Sequence, residues 1–146
     1  MMQGNPPRGA QESSAFIPVE TFLQLEQMVD KVRLRVIECV QGTTDDEQRA
    51  SIRSVLAKVA ESPRVFIETA QTDKPSKFQL TSNGYLFLEN RLHNLRVLVI
   101  RTADAMARQN RQDKVTSTVL QAAWDQMLSD DRSLRSALLS ESTRTK

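Results

Sequence analysis

A stretch from about Gly84 to Gln112 contains no proline and no internal glycine, and it predicts one unusually long helix. At about 28 residues, this helix is more than twice as long as the average helix of a globular protein. On a helical wheel most of its apolar residues fall on one broad arc, formed by Leu88, Leu92, Leu95, Leu98, Val99, Ala103, Ala105 and Met106. An apolar surface this wide has to be covered from two sides. The sequence therefore predicts an all-α fold built around a long central helix.

Three other helices are predicted from apolar spacing and end signals. The first begins at Pro18, whose missing N–H costs nothing in a first helical turn, and it ends near Gly42. The second begins at Thr44 and Glu47, which are spaced as a capping box, and it ends before Pro63. The last begins at Thr116, a good N-cap residue.

The segment between the second and the long helix is harder to assign. Residues 65–67 are apolar and fit a helix or a strand, residues 72–77 are typical of a loop, and residues 78–80 alternate like a very short strand.

Composition limits the functions open to this chain. Its 146 residues suit one ordinary domain or two small ones, and the net charge is only +2. A single cysteine and a single histidine, Cys39 and His93, predict that the protein has no disulfide framework, no metal site and no histidine-based catalytic centre. We therefore expect a protein that is not an enzyme, takes no cofactor and binds no small-molecule substrate. The longest apolar run, residues 97–100, is far too short to span a membrane, so we expect a soluble intracellular protein.

The predicted domain covers residues 17–128. Residues 1–16 are rich in Gly, Pro, Ser and Gln and predict a disordered arm, whereas residues 129–146 predict a polar tail with a weak helix around residues 134–139. The domain divides into halves at 17–62 and 63–128, because each half contains a long helix, a tight break and a shorter helix. The helix starts repeat at an offset of 66 to 71 residues, where sequence identity between the halves is negligible. The pattern leaves open whether the halves are a duplication.

Two segments of the chain, Tyr85–Arg108 and Asp113–Ala123, resemble the histone fold of archaeal and other minimal histones. They look like the long central helix, the second loop and the third helix of that family, with Lys114-Val115-Thr116 in place of the Lys-Thr-Val-Thr loop. The resemblance covers residues 84–128, near a third of the chain. The family pairs an arginine of this loop with an aspartate of the third helix, but the aligned positions here are Gln112 and Val119.

The resemblance implies that the wide helical face is covered by pairing. The partner is either a second chain, as a homodimer or with another histone-fold protein, or the N-terminal half of this chain, as a histone doublet. The expected interface residues are Leu88, Leu92, Leu95, Val99, Met106 and Trp124. Trp124 also fits an ordinary core position.

In histones the paired loops bind DNA phosphates, and the resemblance therefore implies sequence-independent binding of duplex DNA in a nucleoid or nucleus. The expected contacts are Arg108, Arg111, Lys114 and Thr116, with Lys77 as the matching contact from the first loop. Thr116 fits a simple N-cap equally well.

Charge distribution leaves a second function open. Residues 1–80 hold 10 basic and 11 acidic side chains, and residues 81–146 hold 10 and 7, so the histone-like half is only weakly positive. Its basic set comprises Arg91, Arg96, Arg101, Arg108, Arg111 and Lys114, and it also fits a solvated face paired with Glu89 and Asp104. The only cation in the predicted arm is Arg8. The alternative is accordingly a histone-fold scaffold for protein assembly that binds no DNA.

Overall fold

The computed structural model describes residues 14–68 and 79–139, and every regular element in these ranges is a helix. The helices are α1 (Val19–Cys39), α2 (Asp45–Glu61), α3 (Pro63–Glu68), α4 (Ser82–Gln109), α5 (Ser117–Ser129) and α6 (Asp131–Leu139). The all-α prediction is confirmed. Residues 65–67 belong to α3, and residues 79–80 form no strand in the described part of the chain.

The two long helices, α1 and α4, cross in antiparallel directions. Arg33 on α1 donates two hydrogen bonds to Glu89 on α4, at 2.6 and 2.9 Å. Arg96 on α4 donates two to Glu26 on α1, at 2.7 and 2.8 Å. Because the numbering rises on one helix as it falls on the other, the two ion pairs fix the antiparallel direction.

These ion pairs also reveal an internal sequence repeat. Each helix carries a glutamate and, seven positions later, the arginine that pairs with the opposite helix, so residues 22–37 align with residues 85–100 at an offset of 63. The pairs Leu23/Leu86, Leu25/Leu88, Glu26/Glu89, Arg33/Arg96, Val36/Val99 and Ile37/Ile100 are identical. At the offsets of 66 to 71 residues given by the predicted helix starts, these identical pairs do not align.

Burial follows the same register. The buried apolar residues Leu25, Val29, Val32 and Val36 of α1 align with Leu88, Leu92, Leu95 and Val99 of α4, all at most 1% exposed. The shorter helices α2 and α5 align at an offset of 72, where Ile52, Val55 and Leu56 match Trp124, Met127 and Leu128. The halves thus have the same buried pattern, and α4 is longer than α1, with 28 residues against 21.

Three threonines cap the start of a helix, two of them as the sequence predicts. The Thr44 hydroxyl accepts the Glu47 N–H at 3.1 Å and Glu47 accepts the Thr44 N–H, which completes the predicted capping box. Thr116 accepts the Val119 N–H at 3.2 Å and caps α5. Thr81 caps α4 in the same way.

The folded domain extends beyond both predicted boundaries. At the C-terminal end, α6 contains the weak helix predicted around residues 134–139, but it belongs to the folded domain, because it packs on α2 and α4 and buries Leu134 and Leu138. Two leucines four positions apart suffice to anchor so short a helix to an existing core. At the other end Phe16, placed in the arm by the sequence, pairs through its backbone with the loop before α5. Among the described residues, no helix combines the length and apolarity needed to cross a membrane.

Candidate nucleic-acid interface

The segment before α1 and the loop before α5 meet at one end of the molecule, which we term the basic loop end (residues 14–17 and 110–117). The Phe16 N–H donates to the Asp113 carbonyl, and the Val115 N–H donates to the Phe16 carbonyl, both at 2.8 Å. The two segments run parallel and form a single isolated bridge, with Phe16 opposite Lys114. Val115 is buried, so its neighbour Lys114 projects outward and is exposed.

Side chains of three helices hold this end in place. Asp104 of α4 accepts the Ala15 N–H at 2.7 Å and forms an ion pair with Arg108 at 3.1 Å. The Ser117 hydroxyl at the start of α5 donates to the Gln24 side chain of α1 at 2.8 Å. Both α1 and α5 therefore begin at the basic loop end. The first N–H groups of a helix lack acceptors within that helix, and they give its start a partial positive charge.

Arg111 occupies a backbone conformation that favours glycine. Its φ is 59°, and it is the one non-glycine residue with positive φ in the described chain. It follows Asn110, the C-cap residue of α4, in a Schellman motif. The Gln112 N–H donates to the Ala107 carbonyl at 2.8 Å, and the Arg111 N–H donates to the Arg108 carbonyl at 3.0 Å. The side chain is exposed. A left-handed conformation costs a residue with a Cβ about 1–2 kcal/mol.

The remaining predicted cations divide into buried, paired and exposed groups. Arg91 is only 5% exposed and lies over the Phe87 ring, 4.8 Å from its centroid. Arg96 is engaged with Glu26, so it links the two halves. Arg101 is exposed near the C-terminal end of α4. The predicted ion pair with Asp104 is formed, by Arg108. Glu89 instead pairs with Arg33 of the other half, and it raises the pKa of that guanidinium above its ordinary value.

The opposite loop end has the opposite charge. We term residues 40–47 and 79–83 the acidic loop end, because Asp45, Asp46 and Glu47 begin α2 there. Hydrogen bonds from Thr81 and Asn83 lower the pKa of Asp45. Backbone N–H groups of Thr43 and Thr44 lower the pKa of Glu47. Both carboxylates are therefore held in their anionic form. Lys77, the contact predicted for this end, lies outside the described residues.

A buried glutamine joins the two segments of the acidic loop end. Gln48 is fully buried, and its amide donates to the carbonyls of Gly42 at 3.1 Å and Gln79 at 2.8 Å. Its Oε1 accepts the Thr81 N–H at 2.9 Å. Gln48 links one loop of each half, as the Phe16 bridge does at the other end. The sequence analysis missed it because a glutamine in an amphipathic helix ordinarily faces solvent.

The predicted interface residues lie within the chain's own core. Leu88, Leu92, Leu95 and Val99 are at most 1% exposed, Trp124 is 6% exposed, and Met106 is half-buried. Helices of the same chain cover them, which is the arrangement expected for pairing between two halves. Trp124 is a core residue. Cys39 is half-buried and His93 is exposed.

No protein-family model, curated protein or solved structure matches this chain. Among the described residues, no group of three or more His, Cys, Asp and Glu side chains is placed to hold a metal ion.

Proposed function

We propose that this chain is a histone-like pair contained in one polypeptide, which binds duplex DNA without sequence preference through its basic loop end. The observation that carries the proposal is the parallel contact between Phe16 and Lys114 at the start of two helices. It brings together loops from the two halves, as the histone resemblance implies. The antiparallel ion pairs between α1 and α4 and the repeated burial pattern support the same pairing.

The proposed mechanism is electrostatic. Exposed Arg111 and Lys114 displace counterions from neighbouring phosphates, whereas Arg108, also expected to contact DNA, is ion-paired with Asp104. First-turn N–H groups of α5, which Thr116 aligns by capping the helix, donate to phosphate oxygens. None of these groups needs to read a base edge, so binding is independent of sequence.

The described carboxylates of the acidic loop end repel phosphate, so DNA is engaged at the basic loop end. Carboxylates of Asp45, Asp46 and Glu47 lie where a symmetric pair would place its second contact. The proposed complex therefore covers a short stretch of duplex and does not wrap it.

The test is the salt dependence of binding to a random duplex, measured by fluorescence anisotropy between about 50 and 200 mM salt. Lys114→Glu should weaken binding and lower the slope of log affinity against log salt by about 1. Lys58→Glu is the matched control, because Lys58 is exposed on α2 and the net charge changes equally. Absence of wild-type binding, or equal losses in the two variants, would contradict the proposal.

A scaffold for protein assembly is the second candidate, and one observation favours it. Phe22-Leu23 and Tyr85-Leu86 occupy equivalent positions in the repeat, and all four side chains are between 45 and 62% exposed. A matched aromatic–leucine pair in each half suits association with further chains. Sedimentation velocity over a concentration series tests self-association, which Leu23→Glu combined with Leu86→Glu should abolish. Such association in a protein that does not bind DNA would favour the scaffold.

A further inference from the structure

Exposed apolar side chains are concentrated beside the basic loop end. Eight large hydrophobic side chains are exposed in the described part of the chain, and four of them are Phe16, Val19, Phe22 and Leu23. Phe16 and Val19 are the most exposed, at 71% each. The equivalent of Val19 in the second half is Ser82, so the acidic loop end lacks this extension. The patch therefore belongs to one end of the molecule.

The Phe16 ring is presented to solvent on a fixed backbone. Both its N–H and its carbonyl are hydrogen-bonded to the loop before α5, at 2.8 Å each. Its neighbours Ala15 and Ile17 pack against the core, so the alternation of an extended segment turns Phe16 outward. Lys114 stands opposite Phe16 in the parallel bridge, where paired side chains project to the same face. The side chains of Phe16 and Lys114 therefore leave the backbone at neighbouring positions on the same exposed face.

This pair of groups complements one nucleotide. A base offers a flat apolar face and its phosphate offers an anion, and unstacked bases bind aromatic side chains next to cations. Proteins that kink duplex DNA insert apolar side chains between base steps while cations hold the backbone. The Phe16 ring gains from such contact because most of its apolar area is still exposed and available for burial.

We propose that Phe16 stacks on an unstacked base step of DNA whose phosphate is held by Lys114. The inference rests on the DNA binding proposed above and deepens it, because it names distorted or locally open duplex as the favoured form. Arg111 supplies a second cation from the same loop. A duplex that already has a bulge binds more tightly, since the cost of unstacking has been removed.

The experiment compares two DNA probes of about 30 base pairs, one fully paired and one with a two-nucleotide bulge. We expect the wild-type protein to prefer the bulged probe. Phe16→Ala should weaken binding to the bulged probe about 5- to 140-fold, as expected for loss of one base–aromatic stack. Phe16→Trp should retain the preference. Leu34→Ala is the matched control, because Leu34 is 53% exposed on α1 and lies outside this patch. Circular dichroism checks that each variant is folded.

Three outcomes overturn the inference in distinguishable ways. If the wild-type protein binds neither probe, the proposed function fails and the inference fails with it. If both probes bind equally, and substitution of Lys114 weakens binding but substitution of Phe16 does not, DNA binding stands and the proposed stacking of Phe16 is wrong. If vesicles of anionic phospholipid bind with Phe16 dependence while the bulged probe shows none, the patch is a membrane contact.

Discussion

Replacing Arg111 with glycine should stabilise the protein while weakening its binding to DNA. The φ of 59° places Arg111 in the left-handed region, and the Schellman hydrogen bonds around it keep the backbone there. This conformation costs a residue with a Cβ about 1–2 kcal/mol. Glycine avoids that cost but loses about 0.4–1 kcal/mol through the greater freedom of its unfolded chain. We therefore expect Arg111→Gly to raise the free energy of unfolding by about 0.5–1 kcal/mol.

Arg111→Ala separates the backbone from the side chain. Alanine removes the guanidinium as glycine does, yet it keeps the Cβ and its conformational cost. Arg111→Gly should thus exceed Arg111→Ala in stability by about 1 kcal/mol, which corresponds to a few degrees in melting temperature for a domain of this size. Urea unfolding followed by circular dichroism and by Trp124 fluorescence measures this difference.

DNA binding should respond differently. Both variants lose the same cation, so both should weaken binding to random duplex to a similar extent and lower the salt slope by about 1. Equal stability of the glycine and alanine variants would refute the argument from backbone strain. Unchanged binding in both would remove Arg111 from the proposed contact. Glycine already occupies the positive-φ position of the corresponding loop in the first half, Gly42 at 103°.

Three further predictions concern the joints of the fold. Gly84→Ala should destabilise the protein by about 2 kcal/mol, because the new Cβ would clash with the hydrogen-bonded Oε1 of Gln48. In a Gln48→Ala background the same change should be neutral or stabilising. A double-mutant cycle measured by urea unfolding tests this. Glu89→Gln should lower the free energy of unfolding by about 1–2 kcal/mol, because it removes the ion pair with Arg33. A Glu89→Gln variant as stable as the wild-type protein in urea would contradict this prediction. Two backbone N–H groups lower the pKa of Glu47 in the folded state. The contribution of Glu47 to the free energy of unfolding is therefore complete above its unfolded-state pKa near 4.3 and disappears as pH falls through the lower folded-state pKa. Urea unfolding midpoints measured from pH 6 to 3 should decline less steeply for Glu47→Gln than for the wild-type protein.

Local signals predicted the helices well. The capping box at Thr44, the N-cap at Thr116 and the long helix could be identified because each depends on residues a few positions apart. The predicted long helix, from about Gly84 to Gln112, corresponds to α4 at Ser82–Gln109. The C-terminal helix was underestimated, since its two buried leucines gain meaning only from the surface that receives them.

The features that define the loop ends depend on residues far apart in sequence. Arg96 and Glu26 are 70 positions apart, so a helical wheel of α4 alone assigns Arg96 to a solvated basic face. The Phe16 bridge and the Gln48 hydrogen bonds likewise join opposite halves of the chain. The repeat is visible only in the register of these contacts, an offset of 63 that also relates the observed helix starts Val19 and Ser82, whereas the predicted starts at residues 18 and 84 are 66 apart.

The covalent connection between the halves changes how their pairing depends on dilution. Two separate chains that paired through α1 and α4 would dissociate as their concentration fell, whereas here the encounter is intramolecular and the free energy of pairing does not depend on protein concentration. Because each loop end is formed by its own residues of the single chain, the two ends need not be identical. In the part of the chain that the structure describes, one end is basic with exposed apolar side chains and the other is acidic, whereas the two-fold axis of a symmetric homodimer would make its two ends identical.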